Sequence, residues 1–213
     1  MKILLQNKNI VLANNSLISI NSDNIAENGN LVRITQPKLT IIKDITRATI
    51  ALITLGGVVP KGNPDNIPVS ASTIYKKYSI NGIEDLTSDN YETIDGGFDP
   101  ADVNADPDRM LPIDAMRDLE KKGEIYALYD YFYTSSGTDM TVATANTLGA
   151  GIATELKSAN VNGVILTCGD GTAIRAGATM CKKIEEVLLK PAVIVTVLSP
   201  VAKTVGANRI VVG

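Results

Sequence analysis

Strand-like and helix-like patterns alternate along this 213-residue chain, and this alternation is the feature that most restricts its fold. Apolar, β-branched runs typical of buried strands lie at residues 48–55, 128–133, 161–167 and 192–198. Patterns typical of helices lie between them, at residues 113–122, 141–157 and 172–189. Strands alternating with helices predict a mainly parallel sheet with right-handed crossovers, in the doubly wound α/β class, Rossmann-like or flavodoxin-like.

Local signals support these elements. Pro112 at a first helical position and Gly123 just past the end delimit the 113–122 helix. Two short elements follow the last strand, at 201–205 and 209–212. One face of the 172–189 helix collects its apolar positions, which are Ile174, Gly177, Cys181, Ile184 and Leu188.

The sequence predicts two parts. Residues 1–44 contain short alternating runs such as 15–21, which indicate a small N-terminal β arm. Residues 45–213 hold the α/β domain. Within it, residues 67–109 are predicted to be mostly irregular, and a long insertion of this kind is often functional.

Composition excludes several functions. The net charge is -3 and the 20 Lys and Arg residues are scattered, which argues against nucleic acid or an anionic membrane as a partner. Histidine is absent, so proton transfer or metal binding would need other side chains, and no metal site is predicted. Two cysteines without CxxC spacing, and no apolar run of roughly 18 residues, indicate a cytoplasmic protein.

Two glycine-bearing loops follow predicted strands. One covers residues 56–65, where two prolines and three glycines forbid a helix, and the other covers residues 168–172. Both lie at carboxyl ends of strands, where doubly wound sheets bind ligands. The candidate substrate-binding residues in and beside these loops are Gly56, Gly57, Lys61, Asn63, Gly169, Gly171, Thr172 and Arg175.

The second loop reads Cys168-Gly-Asp-Gly-Thr172. Gly169 and Gly171 would allow positive φ and a close approach of the backbone to a ligand, while Thr172 would cap the next helix. The alternative is an ordinary tight turn between strand and helix. The loop lacks the Gly-Lys pair of a phosphate-binding loop, so nucleotide binding is not supported.

The acid-rich run 95–108 resembles a calcium loop in its spacing. However, Pro107 replaces the required Gly and Ile113 replaces the bidentate Glu, which favours a turn-rich loop with solvated carboxylates. Cys181 is predicted to be a core residue. Cys168 is either a plain buried residue or a reactive thiol activated by the adjacent helix terminus.

Several separated blocks resemble the selenoprotein B family of glycine, sarcosine and betaine reductases, together with the small subunit of D-proline reductase. The resemblance covers about residues 32–212. The blocks that carry it are residues 51–65, 77–80, 96–99, 104–109, 112–120, 132–134, 163–167 with 171–172, and 175–180 with 205–210.

The resemblance implies a hetero-oligomeric complex that cleaves small amino acids or amines. It places a pyruvoyl group on a partner subunit and no cofactor on this chain. The pyruvoyl group would form an imine with the substrate amine. A selenolate after the Val-Ile-Leu-Thr strand would attack the α-carbon and displace the amine, and thiols would then regenerate the selenol.

This chain departs from the family pattern at the central position. Alignment places Asp170 on the selenocysteine, Ala173 and Ala176 where cysteines are common, and Asp95 where a histidine often precedes Gly-Gly. A carboxylate cannot form the selenide or mixed disulfide of the reductive cycle. We therefore expect a compact, selenium-free relative.

Three functions stay open. In the first, the chain is an oxidoreductase subunit with Cys168 as a substitute thiol, which requires Cys168 to be exposed in the cleft. In the second, Asp170 is a substrate-binding or acid/base carboxylate in a non-redox relative. In the third, the chain is a structural subunit of the complex.

Overall fold

The computed structural model describes residues 39–212, so residues 1–38, most of the predicted N-terminal β arm, lie outside the described residues, as does residue 213. The strands of the described part are β1 (Thr49–Thr54), β2 (Val58–Pro60), β3 (Lys76–Ser79), β4 (Tyr91–Thr93), β5 (Ala127–Thr134), β6 (Gly163–Thr167), β7 (Ala192–Thr196) and β8 (Ile210–Val212). The helices are α1 (Ala101–Ala105), α2 (Ile113–Lys121), α3 (Val142–Ser158), α4 (Gly171–Leu188) and α5 (Ser199–Val205).

Six strands form the central sheet in the order β3-β5-β1-β6-β7-β8, while β2 and β4 form a separate antiparallel pair. The five strands from β5 to β8 in this order run parallel, and only β3 is antiparallel, at one edge. Taken in chain order, the parallel strands are arranged 2-1-3-4-5, which is the flavodoxin-like arrangement. The predicted doubly wound α/β class is confirmed.

Helices cover the sheet on both faces, and the apolar side chains of β1 alternate between the two resulting cores. Ala51 and Ile53 pack with residues of α3 and α4 in one core. Ile50 and Leu52 pack with residues of α2 in the other core. A strand buried on both faces has a continuous apolar sequence, as β1 does.

The long helices match the periodicity. The predicted apolar positions of α4 are all buried, and Cys181 is a core residue as expected. Pro112 differs slightly from prediction, because it precedes the first residue of α2 instead of occupying it. The first of the two short C-terminal elements is part of helix α5, and the second is strand β8.

The segment 67–109 is more ordered than predicted. It contains β3, β4, α1 and a 3-10 turn at Pro107–Arg109. These elements have five residues or fewer, and β3 reads Lys-Lys-Tyr-Ser. Neither their length nor an apolar periodicity therefore predicts them from the sequence.

The acid-rich run is also less solvated than predicted, because Asp95 and Asp108 are buried. Burial raises the pKa of Asp108 to about 7, even though the amides of Leu86 and Asp114 donate hydrogen bonds to it. The exposed aspartates of the run are Asp99, Asp102 and Asp106.

Within residues 39–212, every helix is too short or too polar to span a bilayer.

Candidate functional site

The carboxyl ends of three adjacent strands meet at one edge of the sheet. Thr54 of β1 pairs with Thr134 of β5 on one side and with Thr167 of β6 on the other. The chain passes from β5 through α3 to β6 on the far side of β1, so the strand order reverses here. Such a switch point is where doubly wound sheets bind ligands. The segments that follow these strands are residues 55–57 before β2, 135–141 before α3 and 168–170 before α4.

Asp170 caps helix α4 at this switch point. Its Oδ1 accepts hydrogen bonds from the amides of Thr172 (2.7 Å) and Ala173 (3.2 Å) and from the Thr172 hydroxyl (2.7 Å). The cap predicted at Thr172 therefore lies two residues earlier, because Asp170 is the extended residue just before the first turn. Burial alone would raise the pKa of Asp170, but these bonds and one from Thr138 outweigh it and lower the pKa.

Of the two glycines in the loop, only Gly169 is required by packing. Neither Gly169 nor Gly171 has the positive φ predicted for it. A Cβ at Gly169 would lie 2.3 Å from the Phe98 ring, whereas one at Gly171 would meet no atom within 4 Å. A side chain at position 169 is thus excluded by the neighbouring 95–98 segment.

Asp95 is a buried carboxylate at the start of the acid-rich run, where the sequence predicted solvated carboxylates. It is 4% exposed. Its Oδ2 accepts from the amides of Gly137 (2.9 Å) and Thr138 (3.3 Å), and its Oδ1 accepts from the amide of Gly97 (2.9 Å). Ser136 Oγ lies 2.8 Å from Oδ2. Asp95 therefore ties the 95–98 segment to the loop after β5.

Thr138 links the two carboxylates. Its Oγ1 lies 2.5 Å from Asp95 Oδ1 and 2.8 Å from Asp170 Oδ2. A weak signal was present in the sequence: Asp95-Gly-Gly and Ser135-Ser-Gly-Thr138 are both turn-forming segments rich in hydrogen-bonding groups.

Gly56 and Gly57 belong to the same cluster. Gly57 has a φ of +64°, and a Cβ there would lie 2.8 Å from the Asp95 amide nitrogen. The Gly57 amide donates to the Ser135 carbonyl, and Gly56 forms a β-bridge with Ser136. These glycines bring the loop after β1 against Asp95 and the loop after β5.

The 95–98 segment lies directly against Asp170. A Cβ at Gly97 would be 2.1 Å from Thr138 Oγ1 and 2.5 Å from Asp170 Oδ2. Gly97 itself is exposed, and the Phe98 ring packs over Gly169. Only glycine at position 97 allows this close approach to the Asp170 carboxylate.

Cys168 does not meet the condition that a substitute thiol requires. Its side chain is buried, with 8% exposure, and lies in the core beneath α4. A Cβ at Gly177 would be 2.5 Å from the Cys168 sulfur, so helix and thiol are in close contact. Burial, together with the charges of Asp170 and Asp95, raises the pKa of Cys168 well above its usual value. The catalytic role of Cys168 remains a prediction, and the side chain is not exposed as that role requires.

Arg175 and Thr172 lie on the first turns of α4. Thr172 is half-buried, and its hydroxyl accepts a hydrogen bond from the Asp139 amide at 3.0 Å. Arg175 is exposed to solvent. Both are near Asp170 in the chain, and their predicted substrate contacts remain predictions.

Lys61 and Asn63 make their polar contacts away from the switch point. Lys61 Nζ donates to the Ser88 carbonyl at 2.9 Å and lies 3.8 Å from Glu92. The Asn63 side chain pairs with both backbone groups of Ile67. These contacts shape the turn after β2, so the structure gives the predicted substrate-binding role of this pair no support.

Two hydroxyls at the strand ends lack partners. Thr134 Oγ1 and Thr167 Oγ1 are buried and form no hydrogen bond within the described chain. Each of these residues is the last of its strand and directly precedes a loop of the site. In the same part of the chain, no three Cys, Asp or Glu side chains are grouped as a metal ion would require.

Comparison with known proteins gives the family. Residues 31–169 match the profile of glycine/sarcosine/betaine reductase selenoprotein B. The chain is 50% identical over 175 residues to the glycine reductase complex component B subunit gamma of Carboxydothermus hydrogenoformans, covering 82% of this chain and 40% of the relative. It is 46% identical over 170 residues to the betaine reductase complex component B subunit beta of Peptoclostridium acidaminophilum, covering 80% and 39%.

A third relative is closer in length. D-proline reductase subunit gamma of Acetoanaerobium sticklandii is 33% identical over 185 residues, covering 84% of this chain and 73% of the relative. The chain spans about two fifths of the glycine and betaine relatives it matches. No solved structure matches it. The chain belongs to the glycine/sarcosine/betaine reductase selenoprotein B family.

Proposed function

We propose that this chain is a subunit of a cytoplasmic, hetero-oligomeric amino-acid reductase complex of the glycine, sarcosine, betaine or D-proline type. Its relatives are named as components of such complexes, which supports assembly with other subunits. A partner subunit would carry the pyruvoyl group, which supplies an electrophilic carbonyl for a substrate amine. This chain would supply the surface around Asp170.

The position of Asp170 is the observation that carries the proposal. The residue lies at the switch point of the sheet, at the amino end of an 18-residue helix whose first amides it binds. A selenolate or thiolate at this position would receive the same amides and the same helix dipole, both of which stabilise an anion. The fold is thus suited to an anionic side chain here, and this chain presents a carboxylate.

A second candidate uses that carboxylate directly. Cys168 is buried and its thiol pKa is raised, so Asp170 is the better-placed ionisable group of the loop. As an anion it would pair with a substrate ammonium or accept a proton from it. The exposed Arg175, in the second turn of α4, would attract the carboxylate of an amino acid.

The assembly proposal is tested by purifying the natural complex through a tag on this chain and measuring intact masses of all subunits. We expect a stoichiometric partner whose amino terminus is a pyruvoyl group. A chain that purifies alone under conditions that preserve related complexes would contradict the proposal.

The role of position 170 is tested with Asp170→Cys in the purified complex, and Asp170→Ser is the matched control that also removes the carboxylate. If the scaffold retains the family geometry, the cysteine variant gains substrate C–N cleavage, with the electron pair supplied by a dithiol that becomes a disulfide. The serine variant gains none. Equal behaviour of both variants would contradict a nucleophile position at 170.

Cys168→Ser tests, in the same assay, whether Cys168 is a plain buried residue or a reactive substitute thiol. Because the thiol is buried, we expect dithiol-dependent turnover, where present, to be unchanged. A loss of at least tenfold, with folding intact, would restore Cys168 as the substitute thiol.

A further inference from the structure

We propose that the surface around Asp170, at the carboxyl edge of the central sheet, is where another subunit of the complex docks. The docking face of that subunit would combine apolar side chains with lysine or arginine. The carboxyl-edge surface of this chain consists of the exposed side chains of residues 69–71, 97–99, 139–142 and 197–198, together with the first turns of α4. The inference rests on the proposed function, because it requires a complex with another subunit.

The first step of the argument is that the candidate site is open on its outer side. Asp170 is half-buried, but Gly97, Asp139 and Arg175 around it are exposed. Gly97 lies directly against the carboxylate, since a Cβ there would be 2.5 Å from Asp170 Oδ2. Reactive sites generally exclude water. The described residues hold Asp170 from within and leave its outer side uncovered, so a docked protein would have to close it.

The second step is that apolar side chains are exposed on this same edge. Val197 and Leu198 directly follow β7 and are 64% and 45% exposed. Val142, the first residue of α3, is 49% exposed. Val69 is also exposed, and its carbonyl accepts a hydrogen bond from the Ser136 hydroxyl at 2.6 Å. Exposed apolar groups that collect around a polar site are typical of protein–protein contacts.

Strand pairing brings these side chains close to Asp170. Thr167 at the end of β6 pairs with Val195 of β7, so the segments that continue from these two strands begin about 4.8 Å apart. On the other side, the Asp139 amide donates a hydrogen bond to the Thr172 hydroxyl at 3.0 Å, which joins the segment before α3 to the first turn of α4. Apolar residues therefore flank Asp170 on two sides.

The third step concerns charge. The charged groups of the carboxyl-edge surface are the carboxylates of Asp99, Asp139 and Asp170 and the guanidinium of Arg175. None of the four forms an ion pair with another residue of 39–212. Three carboxylates and one cation make the surface acidic. Such a surface is complementary to a partner face that carries lysine or arginine beside its apolar groups.

The amino edge of the sheet provides a comparison. It also exposes apolar side chains, among them Ile41, Ile45 and Tyr126. However, the exposed charges beside them include Lys43 and Arg47, so this edge lacks the acidic character of the other. The six residues of β1 separate the two edges by about 20 Å, so a subunit docked at the amino edge would leave Asp170 open.

The apolar part of the surface is tested in the natural complex, purified through a tag on the full chain. Mass photometry during dilution gives the Kd for the other subunits. Val197→Lys places a cation among the apolar groups and opposite a cationic partner, so we expect the Kd to rise by about tenfold or more. Tyr126→Lys, at a 69% exposed position on the amino edge, is the matched control and should leave the Kd unchanged.

Folding is separated from docking by a conservative variant at the same position. Val197→Leu keeps an apolar side chain and should keep the Kd of the wild type. Thermal denaturation of both variants should give the same Tm as the wild type, because position 197 is mostly exposed. A rise in Kd for Val197→Lys at unchanged Tm then reports on the contact itself.

The charge part is tested with Asp139→Asn. Asparagine tolerates the positive φ of 58° at this position, so the backbone is retained. We expect the Kd to rise by about threefold at low ionic strength and by less as salt is added, because salt screens exposed charges. Glu124→Gln removes an exposed carboxylate before β5, at the amino edge, and is the control.

Three results would overturn the proposal. The first is an intact complex whose Kd is the same with Val197→Lys as in the wild type. The second is tighter binding with Asp139→Asn, which would indicate an acidic partner face. The third is a carboxyl edge that binds only a second copy of this chain. A chain that purifies without other subunits would instead overturn the reductase-complex proposal as well, so the two failures are distinguishable.

Discussion

The two glycine-bearing loops look alike in the sequence but differ in what the fold does with them. The loop 168–172 lies at the switch point, and its Asp170 contacts Thr138 and the amino end of α4. The loop 56–65 divides in two. Gly56 and Gly57 pack against the Asp95 cluster, whereas Lys61 and Asn63 form a turn with contacts of their own.

The difference shows that glycine content alone does not identify a binding loop. Gly57 and Gly62 both have positive φ, yet a Cβ at Gly57 would overlap the Asp95 backbone and one at Gly62 would meet nothing within 4 Å. Crowding, not backbone conformation, marks the part of the loop that belongs to the site. Substitutions in the two halves should therefore differ in size.

The largest expected effect is that of Gly57→Ala, compared with Gly62→Ala as its matched control. Both changes place a Cβ on a left-handed backbone, but only the first also creates overlap. We expect Gly57→Ala to lower the free energy of unfolding by about 3 kcal/mol and Gly62→Ala by about 1 kcal/mol. Urea denaturation measures both. Equal losses would show that crowding does not separate the two halves.

Next in size is Asp170→Ala, which removes the cap of α4. We expect a loss of about 1 kcal/mol in the free energy of unfolding. Thr141→Ala removes the cap of α3, away from the switch point, and should cost a similar amount. A much larger loss at Asp170 alone would mean that its bond with Thr138 also contributes strongly to stability.

The effect of Asp170 should also depend on pH. Its folded-state pKa is lowered, so its stabilising contribution is present above the unfolded pKa of about 3.9 and is lost as pH falls through the folded pKa. The stability difference between wild type and Asp170→Ala should shrink below about pH 4. Thermal denaturation across the pH range measures it, and a gap that widens in acid would contradict the assignment.

The smallest effect is expected from Lys61→Ala, in the other half of the first loop. Lys61 is exposed and makes one hydrogen bond and one long ion pair. We expect a change within about 0.5 kcal/mol in the free energy of unfolding. A loss as large as that of Gly57→Ala would remove the distinction between the two halves.

Long elements were predictable because their periodicity is local. The core strands β1, β5, β6 and β7 and the helices α2, α3 and α4 all lie close to their predicted positions. Strands β3 and β4 were not predicted, because they are short and partly polar and form only through pairing with distant segments. The place of the site at the strand ends followed from the α/β alternation.

The composition of the site was predictable only in part. Asp95 and Thr138 are 43 residues apart, and Thr138 and Asp170 are 32 apart, so no spacing rule brings them together. The sequence left two interpretations of Cys168 open, a plain buried residue and a reactive thiol, and packing under α4 buries the side chain.

The sequence by itself determined the α/β class, the family and the presence of a carboxylate at position 170, since these depend on residue identity and local periodicity. The tertiary structure decided which groups surround that carboxylate, that both cysteines are buried, and which half of the first loop joins the site. Those properties depend on desolvation and on contacts between distant segments, which exist only after the sheet has formed.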